Sequence, residues 1–173
     1  MVVLFLNNGD KMKEIKLTQG KVAIVDDEDF EYLDQWKWYA KKNPRSDTYY
    51  AARSISFYVD GKRKQGTKYM HKEILDAPRG MEVDHENHNG LDNQKSNIRI
   101  CTQSQNQRNR LKYKNNTRGY KGVSSLRKYI VAQIFVDGKN KWLGYFKTPE
   151  LAAKAYNKAA IKYFGEFAQL NEI

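Results

Sequence analysis

Four polar residues near the middle of the chain could take part in proton transfer and cation binding. Asp84 and His85 are adjacent, and Asn97 and Asn106 follow at short intervals. An imidazole titrates near neutral pH, so it can accept a proton under ordinary conditions. Carboxylate and amide oxygens suit hard cations such as Mg²⁺, which keep their other positions for water and phosphate. A solvated loop is the alternative, since an Asn-rich loop supplies Asn at almost any spacing.

Local patterns predict a strand, a loop, a second strand and a helix around these residues. Residues 81–85 begin with an apolar–polar alternation that is typical of a short strand. The polar loop that follows is too rich in Asn and Gly for a helix, and it closes at Asn97. Residues 98–101 are predicted to form the second strand. Thr102 and Gln105 make a capping-box pattern, which predicts a helix from about residue 103.

Residues 81–110 resemble the HNH endonucleases, and more narrowly the phage and mobile-intron homing endonucleases whose last motif His is Asn. Asp84-His85, Asn97 and Asn106 carry the resemblance, in the order strand, loop, strand, helix. It implies that His85 is the general base that takes a proton from the attacking water. It also implies that Asp84 and Asn106 hold one divalent cation, Mg²⁺ or Mn²⁺, per active site. Asn97 would brace the loop that orients the His85 ring.

The charge of the chain indicates a polyanionic partner. Its 173 residues include 31 Lys and Arg against 20 Asp and Glu, a formal net charge of +11. Double-stranded DNA is expected rather than an anionic membrane, because the basic residues do not line one side of an apolar amphipathic helix. No apolar run approaches membrane-spanning length, and Met1–Leu6 is too short for a signal sequence. We therefore expect an intracellular, cytoplasmic protein that is not secreted, in a host cell if it is phage-encoded.

The single cysteine limits the metal chemistry. Cys101 has no partner for an internal disulfide or for a paired-cysteine zinc site. We therefore expect no zinc, and we expect Cys101 to pack as a small hydrophobic residue. No small-molecule substrate is expected.

The N-terminal region is predicted to be rich in strands and resembles the segment that precedes the HNH motif in phage endonucleases. Trp36 and Trp38 are expected in the core, with stacking on nucleic acid as the alternative. A hairpin turned at Asp60-Gly61 carries basic residues and could be either a backbone clamp or a solvated hairpin. His71 falls in a short predicted helix and is expected to pack beside the motif.

A long basic stretch follows the motif. No Asp or Glu occurs from Asn93 to Val136. Phosphate contact best explains so one-sided a stretch. Residues 113–119 within it are predicted to be a basic linker. The DNA contacts predicted in this stretch are Arg108, Arg110, Lys112, Lys114, Arg118, Lys121, Arg127 and Lys128.

Residues 120–173 are predicted to form a second module of three strands and one helix. The strands are expected to start at Tyr120 and to span Tyr129–Val136 and Asn140–Phe146. Thr148-Pro149 is an N-cap followed by proline at the first helical position, and Gly165 ends the helix. Alternation along the second strand places Gln133 and Phe135 on the face away from the helix.

This module resembles the apetala-two/ethylene-response-factor DNA-binding domain, which places a three-stranded sheet in the major groove. The resemblance rests on Tyr120-Lys-Gly-Val123, Ala132-Gln-Ile134, Trp142-Leu-Gly-Tyr-Phe146 and Thr148-Pro-Glu-Leu-Ala-Ala-Lys-Ala-Tyr156. It implies DNA contacts by Lys121, Gln133 and Trp142, and packing is the alternative role for Trp142. Ser124, Phe135 and Asn140 stand where the family usually has Arg, so its site preference is not carried over.

Together these patterns predict an α+β protein: a ββα-metal HNH nuclease module in residues 1–112, the linker, and a three-stranded antiparallel sheet packed on one helix in residues 120–173. The predicted function is a metal-dependent, site-targeting DNA endonuclease that nicks one strand per site. It would act as a monomer or as a DNA-induced dimer. The alternative is a non-cleaving, sequence-specific DNA-binding regulator that keeps the HNH region as a scaffold.

Overall fold

A computed structural model describes residues 12–44, 46–112, 116 and 118–173. The chain divides into two compact units, Met1–Thr102 and Gln103–Ile173. Both combine helices with small antiparallel sheets, so the mixed α and β class with antiparallel sheets is confirmed. The predicted linker residue Lys114 lies outside the described residues.

The N-terminal unit contains seven strands and two helices within its described residues. In chain order they are β1 (Met12–Lys16), β2 (Val22–Asp26), α1 (Asp27–Asp34), β3 (Tyr39–Lys42), β4 (Tyr49–Val59), β5 (Lys62–Tyr69), α2 (Met70–Leu75), β6 (Glu82–His85) and β7 (Ile98–Cys101). Strands β1 and β2 pair, β3, β4 and β5 form a three-stranded sheet, and β6 pairs with β7.

The core of this unit forms where apolar side chains of α1, β2 and β3 meet. Leu33 and Val25 are fully buried. Trp38 is also buried and satisfies its indole by donating a hydrogen bond from Nε1 to the Leu33 carbonyl at 2.8 Å. Trp36 packs partly buried against this core, with the Arg53 guanidinium 4.2 Å from its ring centroid. The predicted core position is confirmed for Trp38, whereas Trp36 lies at the edge of the core.

Strand β2 holds the polar loop between β6 and β7 in place. The Ile24 amide donates to the Leu91 carbonyl, and the Asn93 amide donates to the Ile24 carbonyl, both at 2.8 Å. Gly90 lies so close to β4 that a Cβ there would meet the Tyr49 carbonyl oxygen at 2.5 Å. This loop is therefore tied to a rigid sheet edge on one side and to a close backbone contact on the other.

The hairpin of β4 and β5 turns at Asp60-Gly61, as predicted, because both residues adopt positive φ. Helix α2 follows β5 directly and brings His71 into the interior. Cys101 is buried, in agreement with its expected packing as a small hydrophobic residue.

The C-terminal unit consists of α3 (Gln103–Arg108), β8 (Val123–Leu126), β9 (Tyr129–Val136), β10 (Lys139–Phe146), α4 (Pro149–Phe164) and a 3-10 turn at Gly165–Phe167. The strand order is β10-β9-β8, and all pairs are antiparallel. Thr148 caps α4 by accepting the Leu151 amide on its Oγ1. Ile134 and Tyr156 bury one face of the sheet against this helix.

The first strand of the C-terminal unit starts later than the sequence predicts, and helix α3 groups with this unit. The first strand of the C-terminal module starts at Val123 rather than Tyr120, because Gly122 has a φ of +74° that no extended strand uses. Helix α3 was predicted to belong to the nuclease module, but it groups with the C-terminal unit. Within that unit, the Lys121 ammonium donates to the carbonyls of Arg108 and Arg110 at 2.7 and 2.6 Å. The predicted module boundaries stay a prediction.

Candidate active site and nucleic-acid interface

Asp84 and His85 occupy the last two positions of β6. In the register with β7, Asp84 lies opposite Arg99 and His85 lies opposite Ile98. Asp84 and His85 are each only 6% exposed. A carboxylate is rarely this buried unless it is paired with another group. Two buried titratable groups side by side at a strand end make this part of β6 a candidate functional site.

Asn93 fixes the orientation of the His85 ring. This asparagine is 0% exposed, and its Oδ1 lies 3.2 Å from Nε2 of His85. Its Nδ2 donates to the Leu91 carbonyl, which settles which end of the amide faces the ring. Since Oδ1 only accepts, Nε2 carries the proton of the neutral imidazole, and the lone pair is on Nδ1. Sequence reasoning missed Asn93, because nothing distinguishes it from the other asparagines of the loop.

Aromatic side chains form one side of the His85 environment. The centroid of the His71 ring lies 4.9 Å from that of His85 in an edge-to-face arrangement, and the Tyr50 ring lies 5.7 Å from both. Tyr69 stacks on His71 at 5.6 Å. The expected packing of His71 beside the motif is confirmed. The contribution of Tyr50 was missed, because it comes from a strand remote in sequence.

The protein environment keeps both imidazoles neutral. Burial lowers the pKa of His85, although the hydrogen bond that the ring donates to Asn93 and the charges of Asp84 and Asp92 oppose this effect. Burial also lowers the pKa of His71 to about 3, with His85 and Lys72 adding to the shift. Within the described residues, His71 Nδ1 is buried and has no hydrogen-bond partner. A neutral His85 is the protonation state in which a general base is active.

Asn97 ties together the two ends of the loop. Its Oδ1 accepts the Asn87 amide at 3.0 Å, and its Nδ2 donates to the Asp92 carbonyl at 2.7 Å. Its own carbonyl accepts the Glu86 amide at 2.9 Å. These three hydrogen bonds hold the two ends of the loop together. The catalytic role of Asn97 stays a prediction.

Asp84 is held by a residue that the sequence did not single out. Arg99 donates from Nε and Nη2 to the same oxygen, Oδ2 of Asp84, at 3.1 and 3.0 Å. The arginine also approaches Glu86 at 3.6 Å. Only the register of β6 and β7 reveals this pair, since fourteen residues separate the two partners.

The residues present fit a single hard cation. Asp84 supplies a fixed carboxylate, and carboxylate oxygens are preferred by Mg²⁺ and Mn²⁺. Among the described residues, no group of three or more His, Cys, Asp and Glu side chains is clustered as a metal site. A cation that takes only one or two protein oxygens needs no such cluster. Asn106 lies on α3 in the C-terminal unit, so its sharing of a cation with Asp84 stays a prediction.

The positive charge is concentrated in the C-terminal unit. Residues 1–102 contain 17 Lys and Arg against 16 Asp and Glu, whereas residues 103–173 contain 14 against 4. Nearly the whole net charge of the chain therefore belongs to the smaller unit, which favours this unit as the main phosphate-binding surface.

The predicted DNA contacts differ in how available they are. The ammonium of Lys121 is half-buried, and burial lowers its pKa to about 8. Lys112 donates to the Gly119 carbonyl at 2.6 Å, and the Arg118 side chain donates to Ser125 Oγ. The Arg108 guanidinium lies 5.0 Å from the centroid of the Phe164 ring. Arg110, Arg127 and Lys128 are exposed.

Gln133 and Trp142 lie opposite each other on β9 and β10. Trp142 is 49% exposed, which favours contact with a partner over packing. Phe135, predicted to point away from the helix, is 62% exposed, so that prediction is confirmed. Tyr129 and Tyr145 join the same exposed face. Tyr145 was missed because a strand irregularity that is invisible in the sequence puts it there.

Comparisons with known proteins agree with this site. A family model described as HNH endonuclease matches residues 76–108, which include Asp84, His85, Asn97 and Asn106. An uncharacterised HNH endonuclease of Acanthamoeba polyphaga mimivirus is 29% identical over 157 residues, which cover 90% of this chain and 77% of that protein. The comparison with solved structures found no match.

These matches favour an endonuclease over the non-cleaving regulator that the sequence left open, and a nuclease domain implies DNA as the partner. In the described part of the chain, no helix is long and apolar enough to cross a membrane. Residues 76–108 are similar to an HNH endonuclease domain, and both matches support a DNA endonuclease.

Proposed function

We propose that this protein is a metal-dependent, site-targeting DNA endonuclease of the homing or mobile-element type, which nicks one strand per site. The observation that carries the proposal is the buried His85 ring, fixed by Asn93 next to the Asp84–Arg99 pair, within the span that matches the HNH endonuclease model. This arrangement combines a neutral base with a preorganised carboxylate, the two protein groups that metal-assisted hydrolysis needs.

His85 performs the proton transfer in this mechanism. Its Nε2 proton is held by Asn93 Oδ1, so Nδ1 is the nitrogen that accepts a proton from the attacking water. Tyr50 and His71 restrict the tilt of the ring. After transfer, the imidazolium is stabilised by the nearby Asp84 and Asp92 carboxylates, both of which raise its proton affinity.

Asp84, with Asn106 as the second protein ligand that the family resemblance implies, would hold one Mg²⁺ or Mn²⁺. When bound, the cation stabilises negative charge on the phosphate and on the leaving oxygen. Arg99 keeps the Asp84 carboxylate in one rotamer and neutralises part of its negative charge. Asn97 keeps the loop that carries Asn93 at a constant distance from β6.

The C-terminal unit would act as the targeting module. Its sheet and helix resemble the apetala-two/ethylene-response-factor type, and its excess of basic residues supplies phosphate affinity. Joining it to the nuclease makes the second contact intramolecular, so two modest affinities reinforce each other. One base and one cation cut one strand at a time, so a double-strand break would need a DNA-induced dimer or two events.

Relaxation of supercoiled plasmid tests this proposal. The wild-type chain should convert supercoiled to open-circular DNA with Mg²⁺ or Mn²⁺ but not with EDTA, and His85→Ala should be nearly inactive. An Asn89→Ala variant is a matched control, since this exposed loop residue makes no hydrogen bond to His85. DNA binding by the wild-type chain without any metal-dependent nicking would contradict the proposal.

A further inference from the structure

One face of the C-terminal sheet carries an exposed aromatic surface. Tyr129, Phe135, Trp142 and Tyr145 are between 48% and 62% exposed, and we call them the aromatic face. The centroids of the Trp142 and Tyr145 rings are 5.1 Å apart, and those of Tyr129 and Tyr145 are 5.2 Å apart. Helix α4 packs on the opposite face of the sheet, against residues such as Ile134 and Ala132.

A bulge in β10 creates this surface. The register shifts between Trp142 and Gly144, so Trp142 pairs with Gln133 and Tyr145 pairs with Val131. Gln133 and Val131 alternate with the helix-facing residues of β9, so both aromatic side chains lie on the face away from α4. In a regular strand, residues three apart would point to opposite faces. The bulge thus brings together two rings that a regular strand would separate.

So much exposed aromatic area is unfavourable in water unless a partner covers it. Single exposed apolar residues are ordinary, but a contiguous exposed apolar patch marks a binding surface. The side chains that share this face with the rings are uncharged: Ser124, Leu126, Val131, Gln133 and Asn140. Basic groups adjoin it: Lys128 Nζ lies 5.4 Å from the centroid of the Tyr129 ring, and Arg127 is next to it in the turn.

We infer that the aromatic face binds unpaired bases of a single-stranded DNA segment by stacking. Flat rings match the faces of bases, and stacking on them tolerates any sequence. The basic groups at the rim, in a unit with 14 Lys and Arg against 4 Asp and Glu, complement the phosphates of such a strand. The inference rests on the proposed function for its choice of DNA as partner.

This binding mode differs from the groove reading that the family resemblance implies. A base pair in the major groove presents donor and acceptor edges and hides the faces of its bases. Within the aromatic face, Tyr129, Tyr145 and Trp142 each offer one polar group, and Phe135 offers none. A strand already opened or nicked exposes the faces of its bases, so the C-terminal unit would prefer target sites with unpaired segments.

Binding of the full chain to three labelled probes tests the inference. The probes are fluorescein-labelled oligo(dT) of about 15 nucleotides, a base-free deoxyribose-phosphate strand of equal length, and a mixed-sequence duplex. The base-free strand keeps the phosphates and removes the stacking partners. Wild-type protein should bind oligo(dT) more tightly than the base-free strand. Oligo(dT) should also quench the fluorescence of Trp142, the most exposed of the three tryptophans.

Substitutions in the aromatic face test which side chains stack on the bases. Trp142→Ala, Tyr145→Ala and Phe135→Ala should each weaken oligo(dT) binding on the order of 5- to 150-fold, and should leave binding of the base-free strand unchanged. Trp142→Phe should retain most of the affinity and abolish the quenching. Ile161→Ala, an exposed apolar residue on α4, is the matched control and should behave like the wild type. Thermal melts establish that each variant is folded.

Three results would overturn the inference. The first is that the wild type binds oligo(dT) and the base-free strand with equal affinity. The second is that the alanine variants lose binding to the duplex but not to oligo(dT). The third is that the wild type shows no base-dependent binding and the alanine variants lose only self-association of the chain. A plasmid assay on the same preparations separates the two proposals. Base-dependent binding without nicking would leave the aromatic face assigned and reject the endonuclease mechanism, whereas nicking without base-dependent binding would reject only the aromatic face.

Discussion

The imidazole rings of His71 and His85 meet edge to face, with their centroids 4.9 Å apart, inside the N-terminal unit. Two histidines in such contact cannot both be charged without strong repulsion in a site that excludes water. The His71 ring must therefore be neutral to pack against His85, the proposed base. Its buried Nδ1 has no hydrogen-bond partner in the part of the chain that the structure describes.

Acid should destabilise the protein through His71. Its folded-state pKa, about 3, is below the ordinary value of 6.5, so between these values the unfolded chain binds more protons and unfolding becomes easier as pH falls. From pH 7.5 to pH 5 the loss should be about 2 kcal/mol from this residue. Urea unfolding at both pH values measures it. His71→Phe should remove that part of the pH dependence, and an unchanged dependence in the folded variant would refute the explanation.

Asn93 should act as a positioning residue for His85. Asn93→Ala removes the acceptor at Nε2 and frees the ring, which we expect to slow single-turnover nicking by about 10²-fold with little change in DNA affinity. Asn93→Asp keeps an oxygen at the same place and should retain more of the rate than the alanine variant. Asn89→Ala is the control in the same loop. Equal rate losses for Asn93→Ala and Asn89→Ala would mean that Asn93 has no specific role.

Sequence reasoning located the elements of the site but not its contacts. Alternation and capping patterns are local, so β6, β7 and α4 could be predicted from the residues that form them. The pairing of Asp84 with Arg99 depends on strand register, and the approach of His71 to His85 depends on tertiary packing. Neither leaves a periodic signal in the chain. The position of Tyr145 depends on a bulge, which is a one-residue shift that no composition reveals.

The basic residues after the motif should set the salt dependence of DNA binding. Replacing Arg108, Arg110 and Lys112 together with Gln should reduce the slope of log affinity against log salt by about one unit per lost phosphate contact. The matched control replaces three exposed lysines of α4, namely Lys154, Lys158 and Lys162. The wild type and both triple variants are compared on one non-cognate duplex. Equal slopes for the two triple variants would remove residues 108–112 from the interface.

A substitution of Lys121 tests whether this residue has a structural role or contacts DNA. Its ammonium donates to the carbonyls of Arg108, the last residue of α3, and of Arg110, so Lys121→Met should lower the melting temperature of the protein. If it also contacts phosphate, the slope of the salt dependence should fall by about one unit. We expect the loss of stability and a smaller change in slope than for Arg110→Gln, because Arg110 is exposed. A stable variant with a strongly reduced slope would favour the DNA contact predicted from the sequence.

The roles of His85 and Asp84 can be separated kinetically. His85→Ala removes proton abstraction and should slow single-turnover nicking by about 10²–10⁴-fold, with DNA affinity nearly unchanged. Asp84→Asn leaves an oxygen for Arg99 but removes the charge that attracts a cation, so a higher Mg²⁺ concentration should partly restore its rate. Asn106→Ala should resemble Asp84→Asn more mildly, because an amide oxygen carries no full charge.

The measurement is the nicking rate of each variant as a function of Mg²⁺ concentration, with DNA binding determined separately. His85→Ala should show the same low rate at every concentration, because added cation cannot replace a proton acceptor. That contrast distinguishes the base from the cation ligands even if all three variants are slow. A near-normal nicking rate for folded His85→Ala would reject His85 as the base. If a higher Mg²⁺ concentration fails to restore the rate of Asp84→Asn, Asp84 is not a ligand of the cation.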